Sequence, residues 1–202
     1  ASDVYKRQSA EYIIMKNLIC VSAPSGSGKT TLCKAVRKAR PELIWSVSYT
    51  TRDPRPNEVN GEDYYFISKD KFISLKDDKK FAECEDVHGQ HYGTIKSKLD
   101  DAINNNKTVL LELDVNGTMS VRKLYPNHSY SIFIVPPSIE HLRKRLQIRG
   151  SETNEIIEKR LERFNKEMEY KDQFDTLLIN DNIQVAINDF ITTINQITKG
   201  VN

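Results

Sequence analysis

A chain of 202 residues has room for one well-buried core carrying small inserted lobes. Its 38% hydrophobic and 29% charged residues are ordinary for a globular protein, and no apolar run approaches the length of a membrane-spanning helix. Thirty Lys and Arg against 28 Asp and Glu leave a formal charge of +2, too balanced to mark a nucleic-acid surface, so the local placement of charge must carry the functional argument.

Residues 1–17 are polar apart from Tyr12, Ile13, Ile14 and Met15, and lack the apolar stretch and small-residue cleavage site of a secretory leader. Three cysteines with no CxxC pair read as cytosolic thiols, and four scattered histidines propose no metal cage, so a cytoplasmic location is expected. The first apolar run is Leu18, Ile19, Cys20 and Val21. It leads into Ala23-Pro24-Ser25-Gly26-Ser27-Gly28-Lys29-Thr30 and then a helical pattern beginning at Thr31. Strand, small-residue loop, helix is the setting of a phosphate-binding loop. Glycines let the chain wrap a phosphate with inward-pointing amides, and the helix adds its own unpaired N–H groups and positive end. Lys29 would reach the β- and γ-phosphates of a nucleotide and Thr30 would place its hydroxyl on Mg²⁺. The full motif has Gly at its first position, where this chain has Ala23.

The helix is expected over 31–39, with Pro41 beyond its end. Residues 44–50 alternate apolar and small polar side chains, as one strand buried on one face does. A loop stiffened by Pro54 and Pro56 follows and carries Arg52 and Arg55. Between 58 and 94 the texture changes to hairpin-like pieces: a turn at Asn60-Gly61, short strands at 64–67 and 81–87, a helix at 69–75, and a return at 91–94. The core pattern then resumes with a helix at 95–105, a near-continuous apolar strand at 108–114, a short helix at 121–125, and a buried strand at 130–135. A helix from Ser138 to Arg149, a charged helix over 153–171, a strand at 176–179 and a closing helix at 185–197 complete the chain. Strands alternating with helices predict an α/β fold, a three-layer core with a mainly parallel sheet, interrupted by a small mixed α/β lobe.

Two further groups have chemistry. Arg145 and Arg149 are four apart on one helical face, and Arg160 and Arg163 come from the next helix; together they suit a helical lid over polyphosphate. In the inserted lobe, Arg52, Arg55, Tyr64 and Tyr92 suit a second phosphate, while Glu83 and Thr94 offer an acceptor and a donor. That pair suits guanine, whose N1–H and N2 amine donate beside the O6 acceptor. Adenine would leave the carboxylate unpaired, at a cost of about 1–3 kcal/mol or more.

With these residues in place, the chain resembles the guanylate kinase family. The resemblance rests on the loop from Ala23 to Thr30, the run from Ser46 to Arg55, Glu58 to Tyr64, Tyr92-Gly93-Thr94, Glu112 to Gly117, Pro136-Pro137-Ser138, Arg145 to Gly150, and Ile179-Asn180-Asp181. It implies a P-loop kinase core divided into 17–47, 95–140 and 168–202, with a GMP-binding lobe at 48–94, a lid at 141–167 and an N-terminal extension at 1–16. It further implies transfer of the γ-phosphoryl of ATP to GMP, and to dGMP, with Mg²⁺. On this sequence, Ser48, Arg52, Arg55, Tyr64 and Tyr92 look like the GMP group, and Glu83, Thr94 and Asp114 like the guanine readers. Ser25, Gly26, Ser27, Gly28, Lys29, Thr30 and Thr31 look like the ATP-phosphate site, with Asn180 and Asp181 beside the adenine. Lys29, Arg52, Arg145, Arg149 and Arg160 look like the groups that act on the transferring phosphate. The departures are Tyr49, where a serine is common, and Glu112, where an aspartate is frequent. No nucleic acid or membrane partner is expected, and the chain should be a monomer or a weak homodimer. A related kinase of another nucleoside monophosphate or a phosphorylated sugar, and a protein-interaction module on the same fold, stay open as alternatives.

Overall fold

The strand before the phosphate loop is buried along its whole length, and that burial dictates the architecture. In the computed structural model, which describes residues 16–87, 89–148 and 154–198, no residue of β1 (Leu18–Ser22) is more than 1% exposed. Such a strand needs a neighbour on each edge and a layer on each face. The first layer comes at once, because β1 turns through the loop into α1 (Lys29–Ala39), which buries Leu32, Cys33 and Val36.

Two short strands follow, β2 (Ile44–Trp45) and β3 (Tyr49–Thr50). The expectation of one strand over 44–50 is therefore corrected. One piece joins the sheet of β1 and the other a second sheet, with residues 46–48 carrying the chain across. Both pieces lie against partly covered surfaces, so the alternation of side chains runs through the crossing without a break. The second sheet is completed by β4 (Tyr65–Phe66), then, after α2 (Lys69–Asp77), by β5 (Phe81–Val87) and β6 (Gln90–Ile95). Its order is β4-β3-β6-β5, with β3 and β4 parallel and the other pairs antiparallel. Ser68 caps α2 by accepting from the Lys71 amide, and Phe72 stacks on Phe81 at 4.5 Å between ring centres.

The chain then returns through α3 (Lys96–Asn104), β7 (Val109–Glu112), α4 (Val115–Leu124) and β8 (Ser129–Val135). Next come α5 (Ile139–Ile148), α6 (Asn154–Met168), a 3₁₀ turn at Lys171–Gln173, β9 (Thr176–Ile179) and α7 (Ile183–Thr198). Helix α4 starts six residues before the expected 121–125 segment. Asp114 accepts from the Gly117 amide at 2.7 Å, and the Thr118 hydroxyl donates to the Asp114 carbonyl at 2.9 Å. That cap makes a helical first turn of an Asn-Gly pair that alone reads as a loop. The expected helix start at 153 lies outside the described residues.

The first sheet has the order β2-β7-β1-β8-β9, with every pairing parallel. Alternation along β1 sends Ile19 and Val21 to one face, where Leu32, Val36, Phe190 and Ile194 cover them. Leu18 and Cys20 point to the other, against Leu99, Leu111 and Val121. The result is the expected three-layer core. Helices α5 and α6 have a separate small core of Leu142, Leu146, Ile157, Leu161 and Phe164. Cys20, Cys33 and Cys84 are free thiols. Among the described residues no helix is long and apolar enough to cross a membrane.

Candidate active site

The loop between β1 and α1 is held by its own backbone and by the end of β9. The Ser27 amide donates to the Pro24 carbonyl at 3.1 Å. Gly26 and Gly28 take φ of +87° and +92°, the left-handed region in which a side chain is strained. A Cβ on Gly28 would also collide with the Asn180 side chain, whose Nδ2 donates to the Ser27 carbonyl at 2.8 Å. Ala23 has no such constraint. Among the described residues only Lys79 and Asn106 combine a side chain with positive φ, and the Ala23 methyl packs on the core beside α1. The Ser27 hydroxyl is fully buried with no hydrogen-bonding protein partner, which suits an acceptor arriving in the loop.

Lys29 and Thr30 open α1 and lean toward the end of β7. Lys29 Nζ donates to the Leu113 carbonyl at 2.9 Å, and Thr30 Oγ1 donates to Glu112 Oε2 at 3.4 Å. Burial pushes the Glu112 carboxyl up, while the Lys29 charge and the Thr30 hydrogen bond pull it down. No group of three or more His, Cys, Asp or Glu among the described residues could hold a metal by itself. The Thr30 hydroxyl and the Glu112 carboxylate instead form a two-oxygen set, which fits a hard divalent cation taking its other ligands from phosphate and water. Thr31 follows, exposed on the first turn of α1.

Helices α5 and α6 bring arginines to the same place. Arg145 donates to the Asn180 carbonyl at 2.8 Å and the Asp181 carbonyl at 3.3 Å, and Arg160 donates to Ser25 Oγ at 3.2 Å. Arg143 pairs with Glu158, joining the two helices, and Arg163 donates to Glu167 at 2.8 Å along its own helix. Arg149 lies outside the described residues.

The second sheet presents the other half. Arg52 donates to Glu58 Oε1 at 2.8 Å and to the Asp53 carbonyl at 2.6 Å, with its guanidinium 5.5 Å from the Tyr64 ring centre. Its Nε is buried with no hydrogen-bond partner, a donor held in place for an anion. Tyr64 meets Tyr92 edge-on at 5.9 Å. Burial, then the charge of Glu112, pushes the Tyr64 hydroxyl up to about 12. Arg55 is exposed, and its amide donates to Glu58 Oε2 at 2.8 Å. Glu58 thus organises both arginines, a role the sequence hides because it reads as one acid in a charged loop.

Glu83 is 7% exposed and lies across the strands from Thr94, whose hydroxyl is 3.4 Å from Ser48 Oγ. Glu83 and Asp114 converge on Gly117, where a Cβ would sit 3.1 Å from one carboxylate and 3.2 Å from the other. Burial pushes the Glu83 carboxyl up to about 7; Thr94 opposes this, and the charges of Asp114 and Glu85 add to it. The expected base readers Glu83, Thr94 and Asp114 are thus brought to one wall, with Ser48, expected in the GMP-phosphate group, beside Thr94. Tyr64, in the same lobe, lies near enough to Glu112 at the end of β7 for that charge to act on it.

The family model for guanylate kinase matches residues 15–197. The chain belongs to the guanylate kinase family. A guanylate kinase of Carboxydothermus hydrogenoformans is 41% identical over 172 residues, covering 85% of this chain and 84% of that protein. One from Trichormus variabilis is 43% identical over 170 residues, covering 84% and 85%. The crystal structure of guanylate kinase from Anaplasma phagocytophilum matches with a TM-score of 0.75 at 26% identity, over 93% of this chain and 88% of that one.

Two expectations follow for this member of the guanylate kinase family. Gly28→Ala forces a side chain into a left-handed position beside a buried amide, and should lower stability by about 1–3 kcal/mol, measured as a lower denaturation midpoint. Glu83 gives a pH signature. Its folded-state value lies above that of the unfolded chain, so its contribution is fully present near pH 4.5 and is lost as pH rises to about 7. Glu83→Gln, which keeps the neutral shape, should therefore gain stability relative to the parent between pH 5 and pH 8, by on the order of 3 kcal/mol. Melting curves at the two pH values measure it; a constant difference would show that Glu83 titrates normally.

Proposed function

We propose that the chain transfers the γ-phosphoryl group of ATP to GMP, and to dGMP, giving ADP and GDP. The observation that carries this reading is a pair of anion-ready donors, the Ser27 hydroxyl in the loop and Arg52 Nε in the inserted lobe, each buried without a hydrogen-bond partner. The names of the curated relatives support it. Residues 48–94 act as the GMP lobe and 141–167 as the lid. The segments 17–47, 95–140 and 168–202 form the core, and 1–16 is an extension.

The loop amides from Ser25 to Thr31 hold the β- and γ-phosphates of ATP, with the Ser27 hydroxyl donating among them. Asn180 and Asp181 lie beside the adenine. On the other side, Arg52, Arg55, Tyr64 and Tyr92 hold the GMP phosphate, with Ser48 at the edge of the lobe. Ionised Glu83 accepts from guanine N1–H and the N2 amine, Thr94 donates to O6, and Asp114, which meets Glu83 at Gly117, is the third guanine reader. A GMP phosphate oxygen attacks the γ-phosphorus in line with the departing ADP oxygen. That oxygen is already ionised, so no side chain has to remove a proton. Lys29, Arg145, Arg149 and Arg160 stabilise charge on the transferring group, and the lid excludes water that would compete as acceptor. Mg²⁺, held by Thr30 and, through water, by Glu112, would neutralise charge on the ATP phosphates. The same reading takes the protein as cytoplasmic, acting without membrane or nucleic acid, as a monomer or weak homodimer; the near-balanced charge offers no basic excess for a nucleic acid.

Lys29→Met should fold normally and turn over about a hundredfold more slowly or worse, as expected for the loss of a preorganised charge at the transferring group. A coupled assay of ADP release measures it, and near-normal turnover would sink the assignment of Lys29. The same assay with GMP, AMP, CMP and UMP tests the acceptor site. GMP should exceed AMP by roughly tenfold to a hundredfold or more, the size of one buried acceptor left unpaired. Equal rates on all four would refute base reading by Glu83 and Thr94.

A further inference from the structure

The wall made by β5 and β6 has a second carboxylate that neither the phosphate group nor the base group uses. Strand register places Glu83 opposite Thr94 and Glu85 opposite Tyr92, with no irregularity between the two pairs. Residues two apart on a strand share a face, so Glu83 and Glu85 project to the same side, about 7 Å apart along the chain. The first pair is the base end of the site. At the second, Tyr92 stands edge-on to Tyr64, over whose ring lies the Arg52 guanidinium of the phosphate end. The level of Glu85 therefore falls between base and phosphate, where a nucleotide has its sugar.

Glu85 is turned toward the site. It is only partly exposed, and it lies beside the first turn of α4, near enough to Asp114 for that charge to act on it and to the Asn116 side chain for that amide to favour its ionised form. Such a neighbour leaves a carboxylate further acceptor capacity. A carboxylate in this position suits a hydroxyl donor, and the ribose carries one that deoxyribose lacks.

We propose that Glu85, with Asn116 beside it, accepts a hydrogen bond from the ribose 2′-hydroxyl of the acceptor nucleotide, making this chain prefer GMP to dGMP. The inference rests on the phosphotransfer reading above and adds sugar selection to it. A hydrogen bond to an ionised group corresponds to a preference of roughly tenfold to a hundredfold.

The test is kcat/KM with ATP for GMP and for dGMP, measured on the full chain and on Glu85→Ala, Glu85→Gln and Asn116→Ala. The parent should prefer GMP by about tenfold or more. In Glu85→Ala the GMP-to-dGMP ratio should fall toward one, mainly through a higher KM for GMP, and Glu85→Gln, which keeps a carbonyl acceptor, should retain part of it. Asn116→Ala should give an intermediate ratio with kcat preserved, which a merely structural defect would not produce. Because both nucleotides are measured on each variant, a general loss of folding leaves the ratio intact and counts against the proposal. A parent with no preference, or a ratio unchanged in Glu85→Ala, overturns the sugar contact alone. A parent inactive on both nucleotides overturns the phosphotransfer reading as well.

Discussion

The buried amide of Asn180 is the contact on which the phosphate site depends. It donates to the Ser27 carbonyl inside the loop, while its own backbone carbonyl accepts from Arg145 of α5. The side chain comes close enough to Gly28 to forbid a Cβ there. One residue after β9 therefore fixes the shape of the loop, closes off the glycine's alternatives, and anchors an arginine that belongs to the lid. Because Asn180 is 4% exposed, these hydrogen bonds are made in a poorly solvated setting, where leaving either partner unmet would be costly.

A second constraint is electrostatic. The lobe wall gathers Glu83, Glu85 and Asp114, and the loop and lid gather Lys29, Arg145 and Arg160. Burial alone raises the carboxyls of Glu83 and Glu112, so each is held where it is least stable as an anion unless it meets a donor or a cation. On the proposed reading guanine would bring two N–H donors to the first, and Lys29 and Thr30 already act on the second. Selectivity and charge stabilisation thus arise from the same circumstance. The site makes charged groups dependent on partners that only the right ligand supplies in full.

Much of this was legible in the sequence because it depends on local chemistry. The loop glycines, the buried parallel strands, the cap at Ser138 and the grouping of arginines all follow from residue type and spacing. What stayed hidden depends on tertiary contacts. The alternation over 44–50 cannot show that its two halves belong to different sheets. Asp114 looks like a strand-end acid until its carboxylate is found capping α4, so the helix from Val115 was concealed behind Asn116 and Gly117. Glu58 and Glu85 resemble ordinary surface acids. Their roles appear only when Arg52 and Arg55 are seen converging on one, and Asn116 on the other.

The small core shared by α5 and α6, the proposed lid, explains how these parts can work in sequence. Leu142, Leu146, Ile157, Leu161 and Phe164 pack on one another, so α5 and α6 hold together as a unit, joined to the strand residues Phe133 and Val135 through Met168 at the end of α6. Yet Leu142 and Leu146 also bound the space over Gly26, and Arg160 reaches Ser25. A change in the loop's shape is therefore felt directly by the lid, through apolar contact at one point and hydrogen bonding at another. Phosphates seated in the loop would present acceptors to the same arginines that now use protein oxygens. Exchange of those acceptors, from Ser25 and the carbonyls of Asn180 and Asp181 to the nucleotide, supplies a differential interaction that can close the lid without any change in the loop's own fold.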